Sequence, residues 1–105
     1  MNNKLFEAYH LWTEIYRDYP THMERLSAFK HLYQIKFEMD KIFLEQKINQ
    51  FRAKWGRYPH SLEKLVEAGF IESIPQDFRG EGYIYNPQTG KIKAKQIAKW
   101  KKLSF

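Results

Sequence analysis

At 105 residues the chain has room for one domain and a single modest core. Apolar residues make up 43 % and aromatics 17 %, which excludes wholesale disorder, and the absence of cysteine excludes thiol catalysis, disulfides and thiolate metal sites. The formal charge of +6 sits entirely in residues 91–105, where Lys91, Lys93, Lys95, Lys99, Lys101 and Lys102 occur without an acid, so it describes a local cationic tail and not a basic face across the domain.

Leu5, Tyr9, Trp12, Tyr16 and Tyr19 recur at three- and four-residue steps, with Phe6 and Ile15 widening the stripe, and predict an amphipathic helix from Asn3 to Tyr19. Pro20 ends it. Thr21 followed by Glu24 forms a capping-box pattern that starts a second helix at Met23 or just before. Nothing breaks that helix before Gly56, so it runs about 34 residues, roughly 50 Å at the α-helical rise. Met23, Leu26, Tyr33, Phe37, Leu44, Ile48, Phe51 and Trp55 form one stripe on it, and Ala28, Leu32, Ile35, Met39 and Ile42 form a second patch opposite. A helix apolar on opposite sides has to be sandwiched. Either the first helix and the C-terminal part cover both faces, or part of one stripe stays open to a partner.

Gly56, Pro59 and Ser61 mark a turn into a short helix over 61–68, with Ser61 as its side-chain cap and Gly69 as its stop. Phe70 to Pro75 is expected to run extended. Tyr83–Tyr85 and Lys91–Lys95 alternate around Asn86–Gly90 and predict a β-hairpin with Ile92 and Ala94 inward and Lys91, Lys93 and Lys95 outward. A hairpin alone is marginal in water, so one face rests on the long helix. Ile97, Trp100 and Leu103 give the tail one or two turns of basic amphipathic helix.

No run approaches the roughly 20 apolar residues of a membrane span, and the N-terminus lacks the apolar core of a signal peptide, so the chain reads as soluble. His10, His22, His31 and His60 have no metal-ligand spacing, Gly80-Glu81-Gly82 lacks the rest of a phosphate loop, and no serine lies in a nucleophile-elbow context. No catalytic residue, metal ligand or cofactor is assigned, and an enzyme is not expected.

The run from about 45 to 95 resembles the soluble, C-terminal region of type II secretion pseudopilins and related pilin-like proteins. The resemblance is carried by Phe51, Gly56-Arg57-Tyr58-Pro59, Ser61-Leu62, Leu65-Val66, Gly69-Phe70, Ile74-Pro75, Asp77, Gly80, Tyr83, Tyr85 and Thr89-Gly90. It implies a long helix backed by a short helix and a small antiparallel sheet. The chain departs from the pattern in three ways: it opens on a charged amphipathic helix where pilin-like proteins have an apolar one, it has Asp77-Phe78 where the family has Asp-Pro, and it has no counterpart of the calcium loop, so no calcium ligand is carried over.

The expected architecture is therefore α+β: a helical hairpin region over 1–44 with one very long helix, a pseudopilin-like module over 45–95 packed on the end of that helix, and a basic tail over 96–105. The resemblance implies a non-enzymatic structural or protein-interaction role in a bacterial envelope assembly. A periplasmic or envelope location follows if the resemblance holds and an N-terminal part is missing, and a cytoplasmic one otherwise. A protein partner or a homo-oligomer would meet Tyr33, Phe37, Leu44, Leu32, Ile35, Met39, Tyr83 and Tyr85. The alternative is a small basic protein that binds nucleic acid or an anionic membrane surface through Lys91, Lys93, Lys95, Lys99, Trp100, Lys101 and Lys102.

Overall fold

The structure is a computed structural model that describes residues 3–18 and 22–103, with side chains over 4–18 and 25–100. The Thr21–Glu24 cap and the side chains of Tyr19, Lys101, Lys102 and Leu103 lie outside the described residues. The order is α1 (Asn3–Asp18), α2 (His22–Trp55), α3 (Glu63–Glu67), β1 (Ile84–Asn86), β2 (Lys91–Lys93) and α4 (Lys95–Leu103). The fold is α+β, with a helical hairpin followed by a small antiparallel sheet. At 34 residues α2 sets the long dimension of the molecule, 50 Å.

Helix α1 folds back along α2. Leu5, Tyr9, Trp12, Ile15 and Tyr16 are half-buried, and the Trp12 indole stacks on His31 with ring centroids 4.0 Å apart. Phe6 does not widen this face as its spacing suggests, because it is 66 % exposed. On α2, Ala28 and Leu32 are fully buried on the patch turned toward α1. The opposite stripe, Tyr33, Phe37, Leu44, Ile48 and Phe51, joins Leu62, Leu65, Ile71, Tyr83, Ile92 and Ala94 in one core. Apolar residues on both sides therefore bury α2 from both sides along its middle, the sandwich its two patches require.

Each punctuation residue has a definite job. Gly56 closes α2 at a φ of 74°, its N–H donating to the Arg52 carbonyl at 2.8 Å. Helix α3 ends in a Schellman motif: with Gly69 at φ 80°, the Phe70 N–H reaches the Leu65 carbonyl at 2.9 Å and the Gly69 N–H reaches that of Val66 at 3.1 Å. The start of α3 differs from expectation. The helix spans five residues, Leu62 is its N-cap, and no side chain caps it. Ser61 contributes only its carbonyl, to the Lys64 N–H, since the chain is already in a helical turn at Leu62 and that side chain is drawn into the core. Phe70 to Pro75 bends without forming a strand. The hairpin pairs Ile84 with Lys93, Tyr85 with Ile92 and Asn86 with Lys91, which puts Ile92 inward and Lys91 and Lys93 outward.

A buried carboxylate organises the loop before the hairpin. Asp77 is almost fully buried; its Oδ1 accepts the N–H groups of Arg79 at 2.9 Å and Glu81 at 2.8 Å, and its Oδ2 accepts the Tyr33 hydroxyl at 2.7 Å. The Tyr33 oxygen accepts in turn from the Gln96 N–H at 3.1 Å, in the first turn of α4. One residue on, Phe78 makes edge contacts with Tyr9, Tyr16 and Phe29, so the position at which the chain departs from the pilin-like Asp-Pro joins α1 to the C-terminal half.

Removing the Asp77 side chain (Asp77→Ala) takes the acceptor from three donors, the Arg79 and Glu81 N–H groups and the Tyr33 hydroxyl, and is expected to cost roughly 3 kcal/mol or more, seen as a lower urea midpoint. Asp77→Asn keeps an acceptor for the two loop N–H groups and should lose about half as much. Gly90, at φ 70°, lies so close to the Tyr58 ring that a Cβ would sit 2.6 Å from Cε1. Gly90→Ala should therefore lower the melting temperature by several degrees, the equivalent of about 1–2 kcal/mol.

Candidate functional site

The stripe that reads in sequence as a partner surface is the core. Tyr33, Leu32 and Leu44 are fully buried, Phe37 and Tyr83 nearly so, and Ile35, Met39 and Tyr85 are half-buried. That reading is corrected for two reasons: the C-terminal half lies along α2 and not only on its end, which encloses Tyr33, Phe37, Leu44 and Tyr83, and Leu32 lies on the side that α1 covers. Tyr83 packs its ring 5.7 Å from Phe37 and donates its hydroxyl to Asp40 Oδ2. The same oxygen takes Lys36 Nζ at 2.6 Å, which also donates to the Gln76 carbonyl at 2.6 Å. Tyr85 donates to the Pro59 carbonyl at 2.7 Å. Three tyrosines that looked like contact residues are ties between α2, the turn after it and the hairpin.

Burial raises the phenol pKa of each. Tyr33 is pushed up to about 12 by burial and by its bond to Asp77, against the lowering effect of the Gln96 N–H. Tyr83 rises further, through burial and then Asp40, and Tyr85 and Tyr9 rise for burial first, with Tyr58 and Asp40 respectively adding to it. All four stay protonated donors at neutral pH. Among the described residues no group of three or more histidines or carboxylates is placed to hold a metal ion, and no described helix is long and apolar enough to cross a membrane.

Two grooves flank α2. On one side a groove of about 660 Å³ runs between Asp40, Phe43 and Lys47 of the helix and the bend from Gly69 to Pro75. Phe43 is 41 % exposed here, with Lys47 Nζ over its ring, and Ile42, one residue back on the helix, is 51 % exposed. On the other side a groove of about 460 Å³ lies between Phe37, Lys41 and Glu45 of α2 and the segment from Lys91 to Ala98. Glu45 Oε2 is shut off from solvent there without a hydrogen-bond partner.

The tail residues divide. Lys91, Lys93, Lys95 and Lys99 are exposed, as their alternation predicts. Trp100 is half-buried, its ring 5.3 Å from Tyr33 with Lys30 Nζ above it, so it belongs to the packing of α4 and offers no open stacking platform. Lys101 and Lys102 have side chains outside the described residues. Asp77 and Asp40 carry the polar architecture, and sequence spacing did not single them out. The Lys36–Asp40 pair at i, i+4 was the available signal for Asp40; Asp77 takes the nearby N–H groups of Arg79 and Glu81 but its side-chain partner, Tyr33, is 44 residues away.

No family model, curated protein or solved structure matches the chain.

Because the Tyr33 phenol titrates above its unfolded value of 10, the stability it contributes is fully present below about pH 10 and drains as the pH rises toward 12. Tyrosinate absorbance should accordingly show the buried phenols ionising together with unfolding, and Tyr33→Phe should flatten the loss of stability across that window. An unchanged alkaline profile in the variant would contradict this.

Proposed function

We infer that the chain is a non-enzymatic protein-interaction module of pilin-like construction, resembling the periplasmic part of pseudopilins and serving as a component or accessory of a bacterial envelope assembly. The observation that carries the reading is the use to which the pilin-like positions are put. Gly56, Gly69, Gly80 and Gly90 all take positive φ, Asp77 folds its loop through its own carboxylate, and Tyr85 ties the hairpin to Pro59. These positions hold a short helix and a two-stranded sheet against a long helix, the arrangement the resemblance implies.

An interaction role is further supported by apolar surface that α1 and the hairpin leave open. Phe43, on the middle of α2, lines a groove whose far wall includes Phe70 and Ile71, and Ile42, one residue back and about a quarter-turn round the helix, is exposed as well. Paired large apolar side chains on an otherwise charged helix surface are a contact site waiting for cover. The polyanion alternative keeps its exposed lysines but loses Trp100 as a base-stacking or membrane-facing residue, which leaves it the weaker reading.

The test is native mass spectrometry of the chain and of material cross-linked in its native source from a photoreactive residue at position 43. A complex with a second copy or with another envelope protein is expected, and Ile42→Glu with Phe43→Glu should dissolve it while leaving the melting temperature within a few degrees, since both side chains are exposed. A monomer that yields no cross-link from position 43 would sink the proposal.

A further inference from the structure

In a two-stranded sheet each strand keeps one edge without a strand neighbour, and the groove beside Lys41 and Glu45 follows the outer edge of β2. Four consecutive residues, Lys91 to Ala94, line it, although Ile92 and Ala94 face the core and Lys91 and Lys93 face outward. Alternate side chains leave a strand on opposite sides, so a wall to which both sets contribute is the strand's edge. The facing wall is α2, presenting Phe37, Lys41 and Glu45 at four-residue steps. A strand edge opposite a helix stripe is a shape that accepts an extended chain as an added strand.

Three features define the chemistry of that chain. Lys41, Lys91 and Lys93 surround the groove with three ammonium groups against one carboxylate, Glu45. The floor between them is apolar, with Phe37 and Ile97. Glu45 Oε2 is buried with no hydrogen-bond partner among the described residues, so turning this side chain into the groove to accept an incoming N–H gives up no existing bond of that oxygen. Lysines on the edge also set like charges against each other if two copies of β2 approach, which discourages self-pairing and leaves the edge to a strand of opposite charge.

We propose that the groove between β2 and α2 binds an extended acidic segment of a partner protein, laid along β2, with its carboxylates on Lys41, Lys91 and Lys93 and an apolar side chain over Phe37 and Ile97. The inference rests on the interaction-module reading and names the partner's chemistry.

The full chain, isotope-labelled, is titrated with a blocked octapeptide of alternating glutamate and valine and followed by amide chemical shifts. Saturable changes confined to the amides of 91–98 and 37–45 are expected, weakening as salt rises. A peptide with lysine in place of glutamate, and one of equal charge with a central proline that interrupts strand pairing, should each bind about tenfold more weakly or worse, a difference of about 1.4 kcal/mol. Ala98→Trp, which fills the groove from α4, and the surface pair Lys91→Glu with Lys93→Glu should abolish the changes while circular dichroism stays as in the parent.

Absence of saturable change, or equal binding by the proline peptide, overturns the proposal. So does a short DNA duplex that gives the same shifts with the same salt dependence, which would assign the lysines to polyanion binding. A native partner that protects Phe43 and Phe70 and leaves 91–98 untouched overturns the groove and preserves the module; a chain that binds neither peptide nor native partner removes both.

Discussion

The Asp77 carboxylate is the constraint on which the C-terminal half depends. A loop with no regular hydrogen bonding has to cross the middle of α2 between Pro75 and Tyr83, and its backbone donors cannot all face water there. Asp77 accepts two of them itself and takes the Tyr33 hydroxyl with its other oxygen, while its own N–H and carbonyl close the turn to Glu81 and Gly80. Hydrogen bonds to a buried charged group are among the stronger kind, and leaving one unmade is costly. Through Tyr33 the same carboxylate reaches the Gln96 N–H, so α2, the loop and α4 share one small network. A second carboxylate, Asp40, repeats the arrangement about two turns further along α2 with Lys36 and Tyr83.

These ties explain how a small chain supports a helix as long as α2. A hairpin of two three-residue strands and a five-residue helix have little stability of their own. They are held by a line of tyrosine hydroxyls and by the side chains that α2 turns toward them, and α1 covers the other side through Trp12 and His31. Phe78 meets both helices, with Tyr9 and Tyr16 of α1 on one hand and Phe29 of α2 on the other. Loss of the loop's shape would therefore be felt in α1 through these rings.

The surfaces left over follow from the same packing. Because the C-terminal half lies along α2 and α1 occupies the opposite side, the flanks of the helix are exposed: Phe43 on one, Lys41 and Glu45 on the other. The first flank is apolar beside a bend of irregular backbone; the second pairs a strand edge with lysines and an unpartnered carboxylate oxygen. Apart from Phe37, which is nearly buried and floors the second groove, neither surface lies on the most continuous apolar stripe in the sequence, because the longest stripe is what the core uses first.

The sequence by itself determined the elements. Periodicity over Leu5–Tyr16 and over Met23–Trp55, the breaks at Gly56 and Gly69, and the alternation around Asn86–Gly90 are local signals, readable because helices and hairpins are built from contacts between near neighbours. The opposed patches of α2 already required a sandwich. Tertiary structure alone decided which apolar residues are buried and which are open, since Tyr33 and Trp55 share one stripe and yet one is fully buried and the other exposed. It also decided that Asp77, Asp40 and Glu45 matter and that Tyr33, Tyr83 and Tyr85 are ties and not contact surface. Hydrogen bonds such as Tyr33–Asp77 join residues 44 apart, and no local spacing rule specifies a partner at that distance; the same is true of the Ser61 side chain, whose expected cap is replaced by a turn that the burial of Leu62 imposes.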